Sequence, residues 1–275
     1  MLKGFDISKH NGTVDFAAAK AAGLSFVIIR SSYGTDTTDI KFEENYKRAK
    51  AAGLKVGVYH YSYALCANDA LKEAKYVYGL IKDKQLDMPI LFDMEDADGY
   101  KNKHGINLYN DKALINSICS TFINYIQSQG LKCGIYASKS VLTKVIDKSI
   151  ALYFWNAQWG NNDEIKHTMW QYTDSGSISG CSGNFDLDVC YKDFEEKEDD
   201  DDMMTQAQFN EMMNTYLSSL KTEEPADWSK EARTWAESNN IIAGDENGNK
   251  QYKNFVTREQ LMLFLMRLFN KIETS

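Results

Sequence analysis

Two carboxylates stand two residues apart in Pro89-Ile90-Leu91-Phe92-Asp93-Met94-Glu95-Asp96. If this apolar run is a strand, alternation places Leu91, Asp93 and Glu95 on one face. Crowding two acids raises the proton affinity of one, which then serves as a general acid near neutral pH. Cleavage of a glycosidic bond needs such an acid on the leaving oxygen. By itself an Asp-x-Glu pair also caps strands or binds cations, so the other acids decide. Asp6 follows Phe5 in the first apolar run, and Asp186 follows Phe185 in the last. Were those runs neighbouring strands of a closed barrel, Asp6, Asp93, Glu95 and Asp186 would meet on one rim. Such a cluster is costly unless it binds something or shares protons. Tyr33, Tyr61, Tyr63, Tyr136, Trp159, Trp170 and Tyr172 fall at the same strand ends. Flat aromatic faces suit sugar rings, although any one of them alone could be core packing. His10, His60, His104 and His167 show no metal-ligand spacing. No metal or other cofactor is expected.

The elements that would hold these residues are announced by a recurring phrase: a helical segment, Gly-Leu, then an apolar run. It reads Ala22-Gly23-Leu24 before Phe26-Val27-Ile28-Ile29, Ala52-Gly53-Leu54 before Val56-Gly57-Val58-Tyr59, and Gln129-Gly130-Leu131 before Cys133-Gly134-Ile135-Tyr136. Glycine just past a helix suits the left-handed C′ position, and the β-branched runs read as buried parallel strands. Alternation of this kind indicates an α/β domain. Strands are predicted around Phe5, Val27, Val58, Leu91, Ile135, Phe154, Trp170 and Leu187. Helices are predicted over residues 14–22, 42–52, 69–82 and 112–129, with a short one near 141–147. The gaps after Phe154 and Trp170 are too short and polar for crossover helices. The expected fold is a (β/α)8-type barrel with helices missing between the late strands, closing by about Phe194.

Several phrases follow one another in order: Asp6-Ile7-Ser8-Lys9-His10-Asn11-Gly12, Arg30-Ser31-Ser32-Tyr33-Gly34, Gly57-Val58-Tyr59-His60-Tyr61, Phe92-Asp93-Met94-Glu95, Gly134-Ile135-Tyr136, Ala157-Gln158-Trp159 and Trp170-Gln171-Tyr172-Thr173. Each is weak alone, but the ordered set resembles family twenty-five glycoside hydrolases, the Chalaropsis-type lysozymes common among phage endolysins. The resemblance runs from about Leu2 to Phe194. It implies cleavage of the β-1,4 bond between N-acetylmuramic acid and N-acetylglucosamine in bacterial peptidoglycan. It also implies Glu95 as general acid, Asp93 as the group that positions or stabilises the N-acetyl group or an oxazolinium-like intermediate, and Asp6 and Asp186 as the remaining rim carboxylates. Asp188 departs from the pattern, where the family often has Asn. A chitinase-like hydrolase and a non-catalytic glycan-binding barrel are the competing readings. Glu95→Gln separates catalysis from binding, and bacterial walls against chitin separate the two enzymes.

Composition changes after the barrel. Residues 195–202 are an acidic block expected to be solvated, giving a catalytic domain over 1–194 and a linker with an amphipathic helix over 195–226. That helix is predicted over residues 205–220, with Phe209, Met212, Met213, Tyr216, Leu217 and Leu220 at spacings of three and four. Residues 227–275 form a small α-helical module. Its phrases Trp228-Ser229-Lys230-Glu231-Ala232, Asn240-Ile241-Ile242-Ala243-Gly244 and Val256-Thr257-Arg258-Glu259-Gln260 resemble one S-layer-homology repeat. That resemblance implies attachment to cell-wall polymers or self-association into a homo-oligomer. Met203 or Met204 could start a second, shorter product. The net charge is −8 over 275 residues, which does not suit nonspecific nucleic-acid binding. No run of about 20 apolar residues is available for membrane insertion. The first residues carry no signal-peptide pattern, so the expectation is synthesis in the cytoplasm and action on the wall after release, as in phage lysis. Five cysteines, an odd number, fit reduced thiols better than a disulfide framework.

Overall fold

The computed structural model describes residues 1–194, 206–245 and 248–273. The acidic block and both candidate start methionines lie outside them. The chain divides into two compact units, Met1–Lys197 and Glu198–Ser275.

The first unit is an eight-stranded closed barrel wrapped by helices. Its strands are β1 (Leu2–Ile7), β2 (Phe26–Tyr33), β4 (Lys55–Tyr61), β5 (Ile90–Asp93), β6 (Cys133–Ser138), β7 (Tyr153–Ala157), β8 (Met169–Gly176) and β9 (Phe185–Cys190); a two-residue strand, β3 (Thr37–Thr38), lies against the end of β2. Neighbours run parallel from β1 to β8, while β9 runs antiparallel to both β8 and β1 and closes the barrel. The helices are α1 (Phe16–Ala21), α2 (Phe42–Ala51), α3 (Ala67–Ile81), α4 (Tyr100–Lys103), α5 (Lys112–Ser128) and α6 (Lys139–Lys144). The connections after β7 and β8 carry no helix, as their polarity indicated. The predicted short helix near 141–147 starts two residues earlier. Ser138 caps it by accepting from the Val141 N–H, and an Ncap hydroxyl of this kind fixes where a helix begins.

The three glycines of the recurring phrase have φ of 90°, 74° and 76° at Gly23, Gly53 and Gly130. At Gly53 the helix end closes with Gly53 N–H to Lys50 O at 3.0 Å and Leu54 N–H to Ala49 O at 3.1 Å. A side chain would strain that left-handed turn. The leucine then packs on the core and the next residues enter the strand.

Two apolar layers follow from strand alternation. Phe5, Val27, Ile29, Val58, Ile90, Phe92 and Ile135 face out and pack with helix residues such as Val77, Ile115, Ile118 and Phe122. The alternate set, Phe26, Ile28, Leu91, Tyr153, Trp155, Met169 and Cys190, fills the barrel. Gly57 and Gly134 belong to this inner set and make room for it: a Cβ at Gly57 would lie 2.7 Å from Ile28 Cδ1, and one at Gly134 would lie 2.5 Å from Tyr153 O. Asp6, Tyr59, Asp93, Tyr136, Gln171 and Asp188 also belong to the inner set. The barrel interior is therefore apolar at the N-terminal ends of the parallel strands and polar at their C-terminal ends, where barrels of this class carry their sites.

The second unit contains α7 (Gln206–Thr222), α8 (Lys230–Ser238) and α9 (Arg258–Glu273). The Thr257-Arg258-Glu259-Gln260 phrase is a reciprocal cap for α9. Gln260 N–H donates to Thr257 Oγ1 at 3.1 Å, and Thr257 N–H donates to Gln260 Oε1 at 2.9 Å. Phe209, Met212, Tyr216, Phe255, Leu265, Met266 and Phe269 are exposed. None of the described helices is long and apolar enough to cross a membrane. The five cysteines are free.

Candidate active site

The antiparallel closure brings the first and last acids side by side: Asp6 on β1 stands opposite Asp186 on β9. The parallel register sets Tyr61, Asp93 and Tyr136 in line across β4, β5 and β6. Asp6, Asp93, Glu95 and Asp186 thus share one mouth, and each acts electrostatically on others of the set. Glu95 lies beyond the end of β5 rather than within it. It turns toward the same mouth as Asp93 from the connecting loop.

Asp6 is buried, and its Oδ2 accepts from Gln171 Nε2 at 2.7 Å. Gln171 Oε1 in turn accepts from the Tyr136 hydroxyl at 2.9 Å. Asp93 is buried too, and its Oδ1 has no hydrogen-bond partner. Burial raises the proton affinity of both acids well above the ordinary carboxylate range, helped at Asp6 by Asp186 and at Asp93 by Glu95. Glu95 is half-buried; burial again lifts it, against the pull of Lys101. Burial, with Asp174 beside it, raises Asp186. Each of these acids thus holds its proton more tightly than an exposed carboxyl does. Among the described residues no group of His, Cys, Asp and Glu is arranged to hold a metal ion.

The aromatic residues separate into four sets. Tyr33, Tyr61 and Tyr63 line one cavity of about 370 Å³ with Lys9, His10, Arg30, Ala97 and Asp98. Tyr61 and Tyr63 meet edge to face at 5.2 Å, and the Tyr63 hydroxyl donates to Asp98 Oδ2 at 2.7 Å. Arg30 is fixed by Asp39 at 2.8 Å and lies 5.3 Å over the Tyr33 ring. Tyr136 lies deeper and packs on Trp155 at 4.4 Å. Trp170 and Tyr172 pair at 5.5 Å on β8, with the Trp170 indole donating to Gln158 O at 2.6 Å. Trp159 is largely exposed.

Besides Gln171 and Asp98, four further residues that the sequence reading did not single out belong to the site. Tyr59 feels the charges of Asp6, Asp93 and Asp186, and its parity with Gly57 on β4 was the available signal. Trp155 donates its indole N–H to Asp188 Oδ1 at 2.9 Å. Tyr100 packs on Tyr63 at 4.6 Å. Lys101 is buried behind the acids, and nothing in its sequence context marks it.

The family model for glycosyl hydrolases family 25 matches residues 5–181. The autolytic lysozyme of Clostridium acetobutylicum is 33% identical over 191 residues, covering 68% of this chain and 55% of that protein. The chain thus spans little more than half the length of that relative. The modular autolysin LytC from Streptococcus pneumoniae is 28% identical with a TM-score of 0.62, covering 69% of this chain and 46% of that one. The CTP1L endolysin, 20% identical with a TM-score of 0.59, covers 99% of this chain and 100% of that one, a likeness of fold. With a family match across most of the barrel and an acid-lined mouth where such barrels do chemistry, the chain belongs to glycosyl hydrolases family 25.

Proposed function

We propose that this chain is a lysozyme that hydrolyses the β-1,4 bond between N-acetylmuramic acid and N-acetylglucosamine in bacterial peptidoglycan. The observation that carries the reading is the convergence of Asp6, Asp93, Glu95 and Asp186 at one mouth, with Glu95 held toward its protonated form by burial. A half-buried carboxyl that keeps its proton can give it to the glycosidic oxygen as the bond breaks. Asp93 offers its unpartnered Oδ1 to the N-acetyl group of the sugar or to an oxazolinium-like intermediate. Asp6 is oriented by Gln171 and Tyr136 and faces Asp186, so the pair stabilises charge that develops beneath the ring. The Tyr33–Tyr61–Tyr63 cavity supplies flat faces for a neighbouring sugar, and Trp159, Trp170 and Tyr172 extend the groove on the β7–β8 side. The relatives named as lysozyme and autolysin support the substrate class.

The endolysin character and the use of the second unit belong to the same proposal. Residues 227–275 attach the enzyme to wall polymers, and the exposed apolar side chains of α7 and α9 associate with a second copy. A product starting at Met203 or Met204 would supply free copies of that unit. The CTP1L endolysin is itself described as regulated by a secondary translation product. Action on the wall then follows release of the protein.

Glu95→Gln tests the central assignment, since the amide keeps the shape and cannot donate the proton. Its activity on bacterial walls falls by about 10²–10⁴-fold, read by zymography beside chitin as the control substrate. Retention of more than about a tenth of the wild-type rate, a loss far smaller than that range, would remove Glu95 as the acid. Preference for chitin would replace the substrate.

A further inference from the structure

Behind the acids lies a cation that the proposed reaction does not use. Lys101 is 1% exposed although it sits on the four-residue helix α4, in the long loop after β5. Burying an ammonium is expensive unless opposite charge and hydrogen bonds compensate. Its Nζ donates to two backbone carbonyls, that of Ser62 just past β4 and that of Glu95, the latter at 3.1 Å. The Ser62 hydroxyl donates to Glu73 Oε2, and the Tyr63 N–H to Glu73 Oε1, each at 2.8 Å. Glu73 is itself fully buried on α3. Asp96 closes the ring by accepting from the backbone N–H groups of Lys101 at 2.7 Å and Asn102 at 3.0 Å. One ammonium therefore ties the end of β4 to the turn that carries Glu95, with Glu73 held by Ser62 and Tyr63 of the same strand end.

A buried charge is weak evidence for stability, since apolar residues often replace one at no cost. The placement of this one points to the chemistry. Burial drives Asp93 and Glu95 toward their protonated forms, and the Lys101 charge opposes burial at both. Other groups acting on them are Arg30 and Asp6 at Asp93, and Asp96, Asp98 and Asp186 at Glu95. Burial lowers the proton affinity of Lys101 itself, opposed by Glu73, Asp93, Asp96 and Cys119; His60 Nε2 lies 3.5 Å from Glu73 Oε2, and burial pushes the Cys119 thiol up to about 12.

We propose that Lys101 is a positioning residue of the hydrolytic site, fixing the Glu95 turn against β4 and setting a cation beside the Asp93–Glu95 pair. The inference rests on the reading of Glu95 as the acid and Asp93 as its partner at the N-acetyl group. Without the cation, the charge that opposes burial at both carboxyls is gone.

Lys101→Met and Lys101→Gln remove the charge at nearly constant length. On soluble wall fragments kcat falls about ten-fold or more, as small misplacements of catalytic groups do, while KM changes little. The acid limb of the kcat profile moves up by about one pH unit, the effect of losing an opposite charge nearby. A lower Tm with wild-type kcat and an unmoved acid limb would reduce Lys101 to a structural role. Carboxyl-carbon NMR titration of Asp93 and Glu95 reads the same displacement without turnover. An inert wild-type chain would thus refute the hydrolytic reading and leave this test standing. Should the variants fail to fold, the wild-type Lys101 side chain is followed by carbon NMR. A protonated ammonium throughout the active pH range supports the proposal, and a neutral amine in that range overturns it.

Discussion

Asp188 is a buried acid beside the site for which the proposed chemistry has no direct use. Its Oδ1 accepts from Trp155, while its Oδ2 is buried without a partner. Burial first, and then the charge of Asp6, raises its proton affinity well above the ordinary range. The same holds for Asp6, through burial and Asp186. Carboxyls of this kind bind protons more tightly in the folded than in the unfolded chain. The stability tied to them is complete below the ordinary carboxylate pKa of about 4 and is lost as pH rises toward their elevated folded values. The barrel is therefore expected to resist unfolding better at mildly acidic than at neutral pH. Asp188→Asn keeps an oxygen for Trp155, offers an amide N–H₂ to Asp6 and cannot ionise. It should stabilise the barrel at neutral pH by on the order of 1 kcal/mol, or about 2–4 °C in Tm, with the gain shrinking in acid. Thermal unfolding at both pH values checks this; a variant less stable at neutral pH would mean that Asp188 is ionised at little cost.

At the scale of elements, the barrel depends on interior positions with no side chain. Gly134 on β6 leaves room for the neighbouring strand: its Cβ would stand 2.5 Å from the Tyr153 carbonyl oxygen and 2.8 Å from Tyr153 Cβ. Backbone cannot yield as a flexible side-chain tip does. Gly134→Ala is expected to cost about 1–3 kcal/mol, the range for overpacking, and to lower Tm by several degrees; an unchanged Tm would show that β6 and β7 separate freely. This glycine was visible in the sequence, as were the eight strands, the three long helices α2, α3 and α5 and the shorter α1, because β-branched runs and helix-ending glycines report local physics. The direction of β9 was not visible. Phe185-Asp186-Leu187-Asp188 alternates in the same way whichever way the strand runs, and only the tight return from β8 makes it antiparallel. The Asp-x-Glu spacing located the acids, but β5 ends at Asp93, so Glu95 owes its place to the loop. Lys101 was illegible because a lysine among Tyr100, Asn102, Lys103 and His104 looks solvated, and its partners Ser62 and Glu73 come from β4 and α3. Tyr59 and Trp155 read as ordinary strand aromatics until closure turned both toward the acids.

At the scale of the whole molecule, both apolar clusters of the first unit lie within residues 1–194. A chain ended after Phe194 is accordingly expected to fold alone and to cleave soluble wall fragments, while losing attachment to intact walls. Circular dichroism and product analysis check the two halves of that statement, and an insoluble or inert product would show that later residues complete the barrel. The closure itself has a consequence in time. β1 can pair with β2 soon after synthesis begins, but its other edge waits for β9, which lies at the far end of the barrel sequence. At ribosomal rates of about 5–20 residues per second, that wait is roughly 10–40 s. Throughout it, the first strand presents an open edge that another nascent chain could join, and contacts so distant in sequence form slowly. Asp186 arrives with that same last strand, so a chain cut short in synthesis never assembles the full set of acids.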